Sequence, residues 1–235
     1  MKNSVLIIAH NEEKYIDRCI NSIMRQGILP DEIVLVVHNS TDRTEEIARK
    51  YAINIVSFSG PKGIVYARLE GLLHVHGDII LCIDGDSIAE PNWLEVMVRT
   101  LQNNGNILVG SWVKFRGTLY GFINNLYNRG RCVAEPENAA RWIWGPSFAF
   151  WGKDKDFVRE TLEKSIDLSR QLELSRNPED FWLALFMSRH GGLEVTNETF
   201  VTLNTKERSN RSALERNLEN IRNGNIMEEY FQSNF

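Results

Sequence analysis

Ser4-Val5-Leu6-Ile7-Ile8-Ala9, closed by His10-Asn11-Glu12-Glu13, is the stretch that decides the fold class. An unbroken aliphatic and β-branched run without polar alternation is the pattern of a strand covered on both faces, as in a parallel sheet. Asn11 then predicts a helix cap. Ile16, Cys19, Ile20 and Ile23 recur at helical spacing and give that helix one apolar face, with Glu12 and Glu13 in its first turn.

The unit repeats outward from this start. Ile33 to Val37 reads as a second buried strand, and Asp42 with Glu45 three residues later predicts a capping-box start to a helix through Tyr51. Ile53 to Phe58 is a third strand, Gly60-Pro61-Lys62-Gly63 a loop, and Val65 to Val75 a helix. Asp78 to Ile83 is a fourth strand that runs into Asp84-Gly85-Asp86. Strands alternating with helices imply an α/β fold with a mostly parallel central sheet flanked by helices, and ligands at the carboxyl ends of its strands. The loops beginning near His10, His38, Ser59 and Asp84 are therefore the candidate site.

Past about Gly105 the rhythm is irregular. A strand at Ile107 to Val113, an aromatic helix near Leu119 to Asn128 and the segment Trp142 to Trp151 are expected. A helix follows with Asn177 as cap and Pro178 in its first position, and a last helix runs from Asn210 to Asn223 with Gly224 at its end. One domain over residues 1–235 is expected, with a regular half over about 1–104 and an irregular half over about 105–235.

Composition narrows the class. With 43% hydrophobic and 25% charged residues the chain can bury a large core, and its net charge of -4 is spread without a basic block, which excludes a polynucleotide partner. The cysteines, Cys19, Cys82 and Cys132, are scattered and odd in number, which points to a reducing cytoplasm. No segment reaches the ~20 apolar residues that span a bilayer, so membrane contact is expected to be peripheral at most. Lys206, Arg208 and Arg211 form either a solvated face or a cationic patch for phosphate.

Asp84-Gly85-Asp86 is the strongest local signal for chemistry. Two carboxylates flanking a glycine at a strand end either cap the turn or hold Mg²⁺ or Mn²⁺ together with substrate phosphates. Arg68 is either a surface arginine paired with Glu70 or Asp42, or a bidentate partner for a diphosphate, with Lys62 adding positive potential. Glu179 and Asp180 either complement the helix dipole or supply a general base at Asp180. The tryptophans, among them Trp112, Trp142, Trp151 and Trp182, suit a core. Trp144 beside Gly145 allows close approach of a ligand. The histidines lack zinc-ligand spacing, and no nucleophile elbow, Walker loop or dinucleotide fingerprint is present.

Taken in order, these segments resemble the family-two inverting glycosyltransferases with the GT-A fold, over nearly the whole chain. Val5 to Glu13 resembles the family's opening strand and "Pro-x-Tyr-Asn-Glu-Glu" loop, and Ser40-Thr41-Asp42-Arg43-Thr44 its "Ser-Thr-Asp-Gly-Thr". Gly63 through Arg68 to Gly71 resembles "Gly-x-x-x-Ala-Arg-Asn-x-Gly", Asp84-Gly85-Asp86 the DxD motif, Gly145 to Phe150 the acceptor-side segment, and Glu179-Asp180 the "Glu-Asp" of the base helix.

The resemblance implies a donor site formed by Ala9, His10, Asn11, Glu12, Val37, Asn39, Lys62, Arg68, Asp84, Gly85 and Asp86, with Mn²⁺ or Mg²⁺ at Asp86 and Asp84. It implies acceptor contacts at Trp144, Gly145 and Glu179, and Asp180 as base. The expected reaction is transfer, with inversion, of a sugar from a nucleoside-diphosphate sugar to a saccharide, lipid-linked or small-molecule acceptor. The sequence departs from the family at Val37-His38-Asn39, where a pair of aspartates is usual, and at Ala9 and His10 in place of proline and tyrosine. These departures keep open a catalytically inactive nucleotide-sugar or glycan-binding protein of the same fold. A nucleotidyltransferase is disfavoured, because the glycine-rich basic loop needed for a triphosphate is absent.

Overall fold

The computed structural model describes residues 1–103, 105–116, 125, 140, 143–174, 176–204 and 210–235, with the side chains of 204 and 210–221 left undescribed. The expected helix near Leu119 to Asn128, Trp142 and the Lys206, Arg208 and Arg211 patch lie outside the residues, or the side chains, described.

Among the described residues eight strands form one mixed sheet in the order β3-β2-β1-β4-β7-β6-β8-β5. The first four are β1 (Asn3–Ala9), β2 (Glu32–His38), β3 (Asn54–Phe58) and β4 (Ile79–Asp84), and they pair in parallel. The others are β5 (Ser87–Ala89), β6 (Asn106–Arg116), β7 (Ser147–Trp151) and β8 (Gly192–Asn204). Strand β7 runs antiparallel between β4 and β6, β8 is parallel to β6, and β5 closes the edge antiparallel to β8.

The apolar runs of β1, β2 and β4 are continuous because these strands are covered on both sides, whereas β3, at the sheet edge, has no fully buried residue. Val5, Ile7 and Ala9 of β1 pack with Leu35, Leu81 and Ile83 under α1 (Ile16–Met24), α2 (Thr44–Ala48) and α4 (Trp93–Gln102). The intervening Leu6 and Ile8 face the other way, with Val34, Val36, Ile80 and Cys82, beneath α3 (Ile64–His74), α5 (Lys155–Gln171) and α6 (Glu179–Met187). A third cluster joins Leu168 of α5 and Trp182 and Leu185 of α6 to Met227 and Phe231 of α7 (Asn210–Asn234).

From β1 the chain builds outward to β2 and β3, then returns through α3 on the opposite face to set β4 on β1's other flank. Strand order therefore reverses between β1 and β4. In an open α/β sheet the crevice outside the carboxyl ends at such a reversal is where a ligand fits.

Several local expectations are corrected. Helix α1 begins at Ile16, so Asn11 is not its cap, and Asp17 rather than Glu12 or Glu13 occupies its first turn. Asn11 instead takes a left-handed conformation (φ 56°) at the end of β1, and its Oδ1 accepts a hydrogen bond from the Thr41 amide (2.8 Å). Helix α2 ends at Ala48. Its capping box does not form: Asp42 accepts from the Thr44 amide (3.0 Å), while Glu45 pairs with Arg49. Asn177 bonds to Ser165 and Ser169 on α5, and α6 starts at Glu179, after Pro178. The last helix continues through Gly224 to Asn234, because Met227 and Phe231 beyond it are buried against α6.

Candidate functional site

The carboxyl ends of β1, β2 and β4 are laced together before any ligand is considered. Asn11 N–H donates to Ser40 Oγ (3.0 Å), Glu12 N–H to Thr44 Oγ1 (2.7 Å) and Glu13 N–H to Asp42 Oδ2 (3.0 Å), so the first loop is held against the second by side-chain caps. Asn39 also sits at positive φ (49°), which asparagine tolerates better than most residues. Its side-chain amide donates to the Gly60 carbonyl (2.9 Å) and accepts from the Gly60 amide (3.2 Å), which ties the second loop to the third.

Val37 is buried at the end of β2. His38 is buried too, its ring stacked on Phe58 (5.2 Å between centroids) and its backbone carbonyl accepting from His10 Nδ1 (2.8 Å). Burial holds the His38 imidazole below its usual range against the hydrogen bond to the Pro61 backbone, and nearby His10 acts in the same direction as burial. Lys62 is exposed on the loop before α3. The conformation at Gly63 (φ 143°), where α3 begins, is one that L side chains rarely adopt.

Strand β4 ends at Asp84 alongside Ile8, and the Gly85 amide donates to the Ile8 carbonyl (2.8 Å). A Cβ at Gly85 would stand 2.9 Å from Ala9 Cβ and 3.2 Å from Ile8 O, so only glycine lets the DxD turn lie flat on β1. The Cys19 thiol lies below that turn, 3.5 Å from the Asp84 carbonyl. Its pKa is raised well above the usual thiol value by burial first, and then by the negative charge of Asp86, Asp84 and Glu12, so these carboxylates share one region.

Arg68 lies at the centre of the arrangement, although it is only 1% exposed. Its Nη2 is 3.2 Å from Glu179 Oε1 and 3.7 Å from Asp84 Oδ1, and its Nη1 donates to the Gly145 carbonyl (3.4 Å). Its guanidinium lies over the Phe148 ring at 4.8 Å. The surface pairing with Glu70 or Asp42 is thus overturned: Glu70 pairs with His74, and Arg68 faces inward from α3. Burial opposes the arginine's charge, but Glu179 and Asp84 outweigh it and raise the pKa.

Glu179, 4% exposed, is pushed up to about 7, by burial first and then by adjacent Asp180, against the pull of Arg68. The carboxylate of Asp180 is oriented by two backbone amides, Gly145 to Oδ2 (2.7 Å) and Phe181 to Oδ1 (2.9 Å). Trp144 is partly buried and tilted against Phe115 (5.7 Å), beside Gly145 and short of the core that holds Trp182.

Of the residues singled out from the sequence, Asp84, Arg68, Gly145, Glu179 and Asp180 are brought together by the fold. The sequence reading missed Phe148 and Cys82 as the floor under the guanidinium. Alternation along Ser147 to Phe150, which sends Phe148 and Phe150 to the same face as Cys82, was the available signal.

The family model for glycosyl transferase family 2 matches residues 4–162, more than half of the chain. The chain belongs to this family. Among curated relatives of this family-2 member, the glucosyl-dolichyl phosphate glucuronosyltransferase of Haloferax volcanii is 25% identical over 186 residues, covering 74% of this chain and 54% of that protein. An uncharacterised glycosyltransferase of Haemophilus influenzae is 35% identical over 117 residues, covering 47% and 36% respectively. The chain thus spans about half or less of the length of these relatives.

Among solved structures, the glucosyl-3-phosphoglycerate synthase of Mycobacterium tuberculosis, in complex with Mn²⁺, uridine diphosphate and glucosyl-3-phosphoglycerate, superposes with a TM-score of 0.60. The identity is 23%, over 93% of this chain and 76% of that one. TarS of S. aureus gives 0.59 at 17% identity, over 88% and 61%. At such identities the likeness establishes a shared fold, the GT-A fold, for this family-2 chain. Among the described residues no helix is long and apolar enough to cross a membrane.

Proposed function

We propose that this family-2 chain forms the donor and transfer site of an inverting glycosyltransferase, moving a sugar from a nucleoside-diphosphate sugar to an acceptor hydroxyl with Mn²⁺ or Mg²⁺. The observation that carries the reading is the meeting of Asp84, at the end of β4, with Glu179-Asp180, at the start of α6, across the single guanidinium of Arg68. A DxD turn and a candidate base thereby share the crevice at the strand-order reversal. Family membership supports the reading, as do solved relatives of the same fold in complexes with Mn²⁺ and uridine diphosphate.

The donor set suits a hard cation. Asp86 and Asp84 would hold it through carboxylate oxygens. Mg²⁺ and Mn²⁺ suit a shell of one or two carboxylates completed by phosphate oxygens and water. When bound, the cation offsets the charge that develops on the departing diphosphate.

The remaining roles fall to the chain's own residues. Ala9, His10, Asn11, Glu12, Val37, Asn39, Lys62 and Gly85 surround the donor. Trp144, Gly145 and Glu179 face the acceptor, which is a saccharide, a lipid-linked sugar or a small molecule. Asp180, oriented by its two amides, takes the proton of the acceptor hydroxyl as that oxygen attacks the anomeric carbon. The bond to the diphosphate breaks on the opposite face, and the nucleoside diphosphate leaves. One domain over residues 1–235 does this work, and the buried free thiols of Cys19 and Cys82 fit a reducing cytoplasm.

Thermal stability measured with each nucleoside diphosphate, with Mn²⁺ and with EDTA, tests the reading. A cognate nucleotide at about a hundred times its dissociation constant adds about 2.7 kcal/mol, which is several degrees for a domain of this size. A metal-dependent rise that Asp86→Ala abolishes is the expected outcome, and the absence of any rise overturns the donor site. The buried, apolar Val37 at the end of β2 favours one second reading, a nucleotide-sugar or glycan-binding protein without turnover. Nucleotide binding with no sugar transfer to any hydroxyl acceptor would select it.

A further inference from the structure

We infer that Arg68 is a positioning residue: it holds Asp180 in place through the Gly145 peptide and Glu179 while touching Asp84 on the donor side. The catalytic part of this inference rests on the proposed transfer reaction. A guanidinium that is 1% exposed gives Nη2 to Glu179 and Nη1 to the Gly145 carbonyl, so both of its ends are engaged by the base side of the site. Losing the bond from Nη2 would leave Glu179, itself 4% exposed, as a buried polar group short of a donor, which is unfavourable. The floor is closed as well, since Phe148 lies under the guanidinium at 4.8 Å.

The Gly145 peptide is the relay. Its carbonyl accepts from Arg68 Nη1 (3.4 Å) and its amide donates to Asp180 Oδ2 (2.7 Å), so displacing the guanidinium displaces the group that orients the base. The absence of a side chain makes this convergence possible. A Cβ at Gly145 would meet Arg68 Nη2 at 3.2 Å, Asp180 Oδ2 at 3.4 Å and Glu179 Oε1 at 3.6 Å. Because the same Nη2 is 3.7 Å from Asp84, one buried cation sets the distance between the donor turn and the base helix. Helix α3, which carries it, is the segment that returns the chain across the sheet.

Arg68→Gln, Arg68→Lys and Gly145→Ala test the assignment in the full chain with Mn²⁺ and uridine diphosphate, followed by calorimetry, steady-state kinetics and hydrogen exchange. A positioning role predicts nucleotide affinity within about twofold of the parent and a kcat lowered about a hundredfold, with the donor KM little changed. It also predicts that the Gly145 amide loses protection, while the Gly85 amide, bonded to Ile8, keeps it. Lysine keeps the charge but cannot bridge both partners, so Arg68→Lys should follow Arg68→Gln. Gly145→Ala keeps the arginine and should reproduce the kcat loss even if the glutamine variant fails to fold.

Nucleotide affinity lowered about tenfold or more by Arg68→Lys, with Gly145 protection intact, would overturn the inference in favour of a direct diphosphate contact. If the parent protein binds no nucleoside diphosphate, the transferase reading fails by itself. The structural link is then decided by Gly145 protection alone, whose persistence in Arg68→Lys refutes it.

Discussion

At the scale of single residues, the site couples one oriented carboxylate to one buried ion pair. Asp180→Asn keeps the shape but not the basicity, so sugar transfer should fall about a hundred- to ten-thousandfold, while calorimetry shows nucleotide binding unchanged. Glu179 adds a pH signature. Its pKa in the folded protein, about 7, lies above the ordinary glutamate value of 4.5, so its contribution to stability is full below about pH 4.5 and is lost as pH rises through 7. Thermal midpoints measured with EDTA from pH 5 to 8 should decline over that window, and Glu179→Gln should flatten the decline; equal slopes would refute the assignment. The candidate residues were legible from type and order: acids after an apolar strand, acids opening a helix, and an arginine after a glycine loop. That Arg68 is interior was not legible, because its partners Gly145 and Glu179 lie 77 and 111 positions away and no local pattern reports such contacts.

At the scale of elements, β1, β2 and β4 could be read because burial on both faces writes itself as a continuous apolar run. The caps could not, because Asn11 and Asn177 bond across to another loop or helix instead of closing the helix nearest in sequence, while Asp42 divides its carboxylate between the Thr44 and Glu13 amides. Strand β8 was unforeseen for a related reason. It mixes exposed and buried positions along Gly192 to Asn204 and owes its place to pairing with β6 and β5. The element junction most sensitive to change is the β4 turn. Gly85→Ala forces a Cβ into Ala9 and the Ile8 carbonyl, so metal-dependent nucleotide binding should drop while the circular-dichroism spectrum is retained. At the other end of β4, a Cβ at Gly152 would lie 2.1 Å from the Gly77 carbonyl oxygen. Gly152→Ala should therefore cost about 1–3 kcal/mol, read by chemical denaturation, without altering nucleotide affinity in the fraction that folds.

At the scale of the molecule, the site belongs to the reversal of strand order between β1 and β4, and the sheet is continuous through it. Phe231→Ala, remote from the crevice but central to the cluster joining α7 to α6, should cost about 3–5 kcal/mol, and a midpoint unchanged in denaturant would show that α7 does not support the base helix. The insertion of β7 between β4 and β6 has a consequence for synthesis as well as for shape. Strand β4 is apolar on both faces, and one of its two edges is covered only by residues 147–151, made long after it. A nascent chain that has released β1 to β4 but not β7 therefore carries a bare, sticky central edge. A fragment ending near residue 104 should accordingly self-associate, and full solubility should return only once the segment through Trp151 is included.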